Sequence, residues 1–215
     1  MNKLIQAARR ERPIAAMIFI VRKVFDRLRG RAVAKIMGWP QSYLGTGSKI
    51  LGTMAITVGE NAHVNRYAWI EAVHSFAGQS FSPAIRIGRG FSAADRLHIT
   101  AINRIEIGDN CLFGSSVHIS DHNHGAYKES EQSVPSESPV TRKLVSFGPA
   151  IIGSNVWFGD NVVVMGPVKI GNGVIVGANS VVTRDIPDDV IAVGIPARIL
   201  KRFDAGTGKW EAIDH

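Results

Sequence analysis

Residues 151–182 read IIGSNVWFGDNVVVMGPVKIGNGVIVGANSVV, and a large apolar residue recurs every six positions: Ile152, Phe158, Val164, Ile170, Val176 and Val182. Glycine follows at 153, 159, 171 and 177, and the fifth place of each hexad is small or β-branched, at Val156, Val162, Val168, Val174 and Ser180. A period of six fits neither the roughly 3.6 of a helix nor the roughly 2 of a two-faced strand. It fits short strands parted by regular corners, each strand sending one large side chain inward. Three such strands close a triangular coil, and successive coils pair as parallel strands. Glycine behind the inward residue suits a corner that needs positive φ or close backbone approach. The pattern also holds earlier, at Val58-Gly59, Val64, Ile70, Ile87-Gly88, Ile107-Gly108, Phe113-Gly114 and Ile119, with Ala62, Ala68, Cys111 and Val117 in fifth places. The predicted fold is an all-β solenoid, a parallel β-helix.

Working outward, residues 1–40 form a basic helical segment, closed by the breaker Gly38-Trp39-Pro40 and divided by Pro13. The β-helix occupies 41–202, with coils from about residue 45 to 184. Its period slips between Ile70 and Ile87 and between Ile99 and Ile107, which places small insertions there. Between Ile119 and Ile152 a loop of residues 120–150 leaves the solenoid, and long loops in regular scaffolds tend to carry function. The loop opens with the dense histidine cluster HISDHNHG, holding His118, His122 and His124. Beyond the coils, Ala197–Arg202 reads as a short helix and 203–215 as a loose tail.

The chain has 215 residues, 22 of them glycine, with 7% aromatics, a composition suited to many tight turns and aliphatic contacts. The net charge of +7 is not a nucleic-acid signature, because residues 1–37 alone carry +8 and the rest sums to −1. The lone Cys111 excludes an internal disulfide and fits a reducing cytoplasm. No signal peptide is expected, and the apolar run Ile14–Val21 is far short of the roughly 20 residues a membrane span needs.

Four stretches carry a resemblance: IGDNCLFGSSVHIS, NVWFGDNVVV, IGNGVIVGANSVVTRDIP and VGIPARILKR. They are similar to the hexapeptide-repeat acyltransferase superfamily, in its maltose/galactoside and capsule or lipopolysaccharide O-acetyltransferase branch. The resemblance implies a left-handed coil, a homotrimer and acetyl-CoA as co-substrate, with no metal. It also implies a histidine general base at the mouth of the extruded loop. Ungapped register places that base on His124, and one small gap selects His122. Such chemistry needs a base for the attacking hydroxyl and N–H donors for the developing oxyanion, and imidazole suits the first role. Carried over position by position, the CoA site falls on Trp157, Asp160, Ala178, Thr183, Arg184, Arg198 and Lys201. The three cations there would meet phosphates of the nucleotide end.

On the acceptor side the pattern departs from the sugar enzymes, with Ala94 and Asp95 where an asparagine is expected. Asp95 is therefore a substrate-binding candidate. Asp121 either orients a catalytic histidine or caps a turn. His118 reads as an inert solvent-facing corner, and Cys111 as packing rather than nucleophile. The expected activity is O-acetylation of a sugar hydroxyl in surface-polysaccharide or lipopolysaccharide biosynthesis. The basic segment 1–37 either docks on the inner face of the cytoplasmic membrane or packs on the solenoid. Two rivals remain open: O-acetylation of an antibiotic, against which Gly125-Ala126 follow the histidine, and a metal-dependent γ-carbonic-anhydrase-like protein using His98, His118 and His122 or His124.

Overall fold

A computed structural model describes residues 13–127 and 132–213. The first twelve residues of the basic segment therefore lie outside the described residues. Helix α1, Pro13–Ile36, is followed by three parallel sheets that the chain visits in turn. Sheet A stacks Tyr43–Leu44, His63–Val64, Ser92–Ala93, Leu112–Phe113, Trp157–Phe158, Ile175–Val176 and Val190–Val193. Sheet B stacks Lys49–Leu51, Trp69–Ala72, His98–Ala101, His118–Ser120, Val163–Met165 and Val181–Val182. Sheet C stacks Ile56–Val58, Ala84–Ile87, Arg104–Ile107, Ala150–Ile152 and Val168–Ile170. The hexad residues align in register from coil to coil, as in Ile70, Ile99, Ile119, Val164 and Val182 along sheet B.

These inward rows make one continuous core, with Phe91, Phe113 and Phe158 fully buried. The ring of Phe113 stacks on Phe158 at 4.5 Å between centroids and meets Phe91 edge-on at 5.1 Å. Of the two reasons for glycine behind the inward residue, close approach is the operative one. A Cβ on Gly108 would lie 2.6 Å from the Gly153 carbonyl carbon, backbone that cannot yield. Positive φ falls instead two residues later, on Asn61, Asn110, Asn155, Asn161 and Asn179, because asparagine tolerates the left-handed region better than most residues.

Helix α1 packs on the first coil through Gly30 and the buried Ala34, and a side chain at Gly30 would collide with the Tyr43 ring. Helix and solenoid thus share one core.

Two expectations are corrected. Ala197–Arg202 is not helical: Arg198–Asp204 is a strand pairing antiparallel with Val190–Val193. Residues 203–213 are not loose either, because Lys209–Ala212 pairs back on that strand and Trp210 meets Phe203 at 5.3 Å. The last parallel strand of sheet A presents unpaired backbone groups, and a following ribbon satisfies them where a helix would leave them open.

Candidate active site

Every departure from the hexad lies at the same corner of the triangle, where sheet B passes to sheet C. The hairpin Ser75–Phe76 with Gln79–Ser80 follows Ala72. Ile102-Asn103 follows Ala101, and the long loop follows Ser120. These insertions bind one another. Asp121, wholly buried, accepts hydrogen bonds from the backbone N–H of Ile102 at 2.9 Å and of Asn103 at 2.9 Å. Gln79 donates to the Leu144 carbonyl at 3.1 Å and accepts from its N–H at 2.8 Å, tying the hairpin to the loop's return arm.

On this frame sit the two histidines. His122 is 9% exposed, with Nδ1 3.0 Å from the Asp121 carboxylate. Asp121 therefore meets both the backbone of the neighbouring coil and the His122 ring. His124 stands on the two-residue strand Asn123–His124, paired antiparallel with Leu144–Val145. Its side chain is exposed, and its ring meets Phe76 edge-on at 5.3 Å. The Tyr127 hydroxyl donates to the His124 carbonyl at 2.6 Å, and Arg142 donates to that hydroxyl at 2.8 Å. Phe76, Gln79, Tyr127 and Arg142 did not emerge from sequence reasoning; the slip in period between Ile70 and Ile87 was the one signal pointing to the first two.

His118 does not stand at a solvent-facing corner. It lies in a strand of sheet B, on an outward row that runs Lys49, Trp69, His98, His118. The Lys49 ammonium sits 4.4 Å from the Trp69 ring, Trp69 stacks on His98 at 4.7 Å, and the Nδ1 atoms of His98 and His118 are 3.0 Å apart. Burial pushes His118 down to about 4, helped by His98 and His122, and burial likewise lowers His98. Both are neutral imidazoles at pH 7, so one ring donates and the other accepts. Among the described residues, no group of three or more His, Cys, Asp or Glu side chains is arranged to hold a metal ion. Cys111 is buried packing, its Sγ 3.2 Å from the Gly153 carbonyl, and burial pushes its thiol up.

The expected CoA residues do not gather at one place in a single chain. Trp157 is half exposed on the outward row of sheet A. Asp160 and Ala178 occupy the corner between sheets A and B, where the Asp160 carboxylate accepts from Ser115 N–H at 2.6 Å. Asp95 lies at that corner too, accepting from Arg66 N–H at 3.1 Å, and so sits apart from His124 within one chain. Thr183 and Arg184 are exposed just beyond the last strand of sheet B, on the loop side. Arg198 and Lys201 stand on the ribbon that extends sheet A.

Known proteins are similar in sequence and fold. A family model for the bacterial transferase hexapeptide (six repeats) matches residues 149–184, and one for the hexapeptide repeat of succinyl-transferase matches 104–120. The chain is 45% identical over 118 residues to the "Putative lipopolysaccharide biosynthesis O-acetyl transferase WbbJ" of Escherichia coli (strain K12), covering 54% of this chain and 60% of that protein. It is 36% identical over 155 residues to the galactoside O-acetyltransferase of the same strain, covering 72% of this chain and 68% of that protein. Among solved structures, the Bacillus cereus N-acyltransferase AntD in complex with dTDP and 3-hydroxybutyryl-CoA superposes with a TM-score of 0.58 at 19% identity, covering 82% of this chain and 89% of that one. A D94A mutant of AntD, bound to dTDP and coenzyme A, gives 0.56 at 22% identity, over 82% and 90%. At such identities the likeness is one of fold, the left-handed parallel β-helix.

Proposed function

This chain belongs to the hexapeptide-repeat transferase family, and from that premise we propose that it moves the acetyl group of acetyl-CoA to a sugar hydroxyl of a surface polysaccharide or lipopolysaccharide. The observation that carries this is the exposed His124 imidazole on a braced hairpin, at the one corner where every break in the repeat converges. His124 takes the proton of the acceptor hydroxyl. The oxygen forms the new ester bond as the thioester C–S bond breaks, and the imidazolium returns the proton to the departing thiolate. The ring is accessible to an acceptor, and its backbone is held by Tyr127 and by the Leu144 strand, so the base is positioned before substrate arrives.

The donor lies along Trp157, Asp160 and Ala178, with Thr183, Arg184, Arg198 and Lys201 toward its phosphates. Exposed indole and cations fit a ligand with a flat apolar arm and an anionic end. Because Trp157, Asp160 and Ala178 lie at a different corner from His124, we read the complete site as one formed between neighbouring subunits of a homotrimer. Asp95 contributes on the acceptor side.

A second assignment of the base has its own observation. His122 is oriented by Asp121 at 3.0 Å, the pairing that fixes an imidazole's tautomer. Transfer from acetyl-CoA to a panel of glycans, with His124→Ala and His122→Ala, separates the two. We expect a loss of about 10²-fold or more in turnover for His124→Ala with CoA binding retained. Loss confined to His122→Ala moves the base by two residues, and full activity in both variants refutes a histidine base.

Helix α1 also carries a second apolar face. Ile14, Met17, Ile18, Val21, Val24, Phe25 and Leu28, spaced three and four apart, are all exposed. Arg22 and Arg29 flank the stripe on one side, Arg27 and Arg31 on the other. The single carboxylate of α1, Asp26, faces Arg66 of the solenoid at 3.9 Å. Such a stripe suits an anionic bilayer better than a second copy, whose flanks would repel it. No described helix is long and apolar enough to cross a membrane. Peripheral docking at the cytoplasmic membrane's inner face is the reading we adopt. Full-length protein that stays unbound to anionic liposomes at low salt refutes it.

A further inference from the structure

A groove separates α1 from the first two coils. It comprises a cavity of about 630 Å³ and an adjoining one of about 750 Å³, which share Arg31, Gln41, Ser42 and Asn61. Lys23, Arg27, Arg31 and Lys35 follow one another at four-residue spacing on α1, so they form a single row along the helix beside this groove. Arg66 adds a fifth cation from the solenoid, against one carboxylate, Asp26, which is turned to Arg66. None of the four helical cations forms an ion pair with a described carboxylate. Like charges four apart repel and weaken a helix, so an uncompensated row is a cost without a structural return. The opposite wall is neutral and polar, with Gln41, Ser42 and Asn61, and carries Tyr43 stacked on His63 at 4.6 Å.

We propose that this groove binds the diphosphate of a glycosyl carrier, arginine forks taking the phosphate oxygens and the amides of Gln41 and Asn61 taking sugar hydroxyls. The geometry relates it to the donor side. Tyr43 and His63 open the same outward row of sheet A that continues through Ser92 and Leu112 to Trp157. At about 4.8 Å per strand, His63 and Trp157 are about 14 Å apart along the axis. The groove also lies beside one flank of the exposed stripe of α1, where a lipid-borne diphosphate would meet it. That the diphosphate belongs to the acceptor rests on the acetyl-transfer reading; that the groove binds diphosphate does not.

The test uses the full chain and calorimetry at about 0.05 M salt, where surface electrostatics are weakly screened. Inorganic pyrophosphate probes the shared chemistry, with uridine diphosphate and farnesyl diphosphate as the two sources. We expect pyrophosphate to bind, with affinity lost at least about tenfold in the double variant Arg27→Gln/Arg31→Gln. That variant should keep the circular dichroism of the parent and its KM for acetyl-CoA. Tighter binding of uridine diphosphate assigns a nucleotide-linked carrier, and tighter binding of farnesyl diphosphate a lipid-linked one. No pyrophosphate binding by the parent, or unchanged binding by the folded double variant, overturns the proposal. A chain that binds pyrophosphate but transfers no acetyl group would instead sink the acetyl-transfer reading and leave the groove standing.

Discussion

Asp121→Asn is the substitution with the most informative outcome. The native carboxylate is wholly buried and serves three donors: Ile102 N–H and Asn103 N–H at 2.9 Å each, and His122 Nδ1 at 3.0 Å. An asparagine offers one acceptor oxygen, and its NH₂ must face at least one of those donors. Leaving a buried donor unpaired costs about 1–3 kcal/mol, and the bonds that survive lose the charge that roughly doubles their strength. The sum is about 3 kcal/mol. For a chain of this size each kcal/mol lowers the thermal midpoint by about 2–4 °C, so the midpoint should fall by about 6–12 °C at matched protein concentration. Asp121→Ala, which unpairs all three donors, should fall further. Thermal unfolding followed by circular dichroism reads the effect, and acetyl transfer should drop alongside it because the loop root loosens. A midpoint within about 2 °C of the parent would refute the role given to Asp121 as the tie between the loop and the neighbouring coil.

Other substitutions probe the same frame from different sides. Gln79→Ala removes both hydrogen bonds to the Leu144 backbone and should lower kcat/KM about tenfold, while urea unfolding shifts by no more than about 2 kcal/mol. Phe158→Ala deletes a fully buried ring stacked on Phe113 and should cost about 3–5 kcal/mol in urea unfolding, with residual activity of the folded fraction unchanged. His118 titrates at about 4 in the folded chain, because burial disfavours its charge, against about 6.5 unfolded. Between those values the unfolded chain binds the extra proton, so this contribution is complete above about pH 6.5 and is lost as pH falls toward 4. After solvent screening it amounts to about 1 kcal/mol, seen as a shallower pH dependence of the urea midpoint in His118→Gln.

The solenoid was legible because one physical requirement, a large inward residue per short strand, recurs often enough to outweigh local noise. Ile152 to Val182 announce it, and their rows are the rows of the core. The C-terminal ribbon was misread for the opposite reason. ARILKR has ordinary helix propensity, and its conformation is decided by the open edge at Val190–Val193, a tertiary fact. His118 was misjudged similarly: the sixth place of a hexad faces out, yet the ring of His98 on the adjoining coil, itself stacked on Trp69, packs against it. The extruded loop and its histidines were visible as a gap in the period, but their partners were not. Asp121 reaches back to Ile102-Asn103, and Gln79 reaches 65 positions forward to Leu144, pairings that only stacking of coils creates.

The convergence of those insertions follows from the physics of the coil. An insertion within a strand would move the next inward residue off its row and break the ladder on both sides, so added residues can enter only at corners. Three corners are open to them on each coil, yet the hairpin after Ala72, the pair Ile102-Asn103 and the loop after Ser120 all use the one between sheets B and C. Neighbouring coils then present their insertions side by side, and hydrogen bonds between them cost no rearrangement of the core. Asp121 and Gln79 are those bonds, and His122 and His124 are the imidazoles they hold. The repeat supplies rigidity, and the site is assembled where the repeat is suspended. A substitution on an inward row should therefore act on stability before activity, and one at this corner, the buried tie Asp121 apart, on activity before stability.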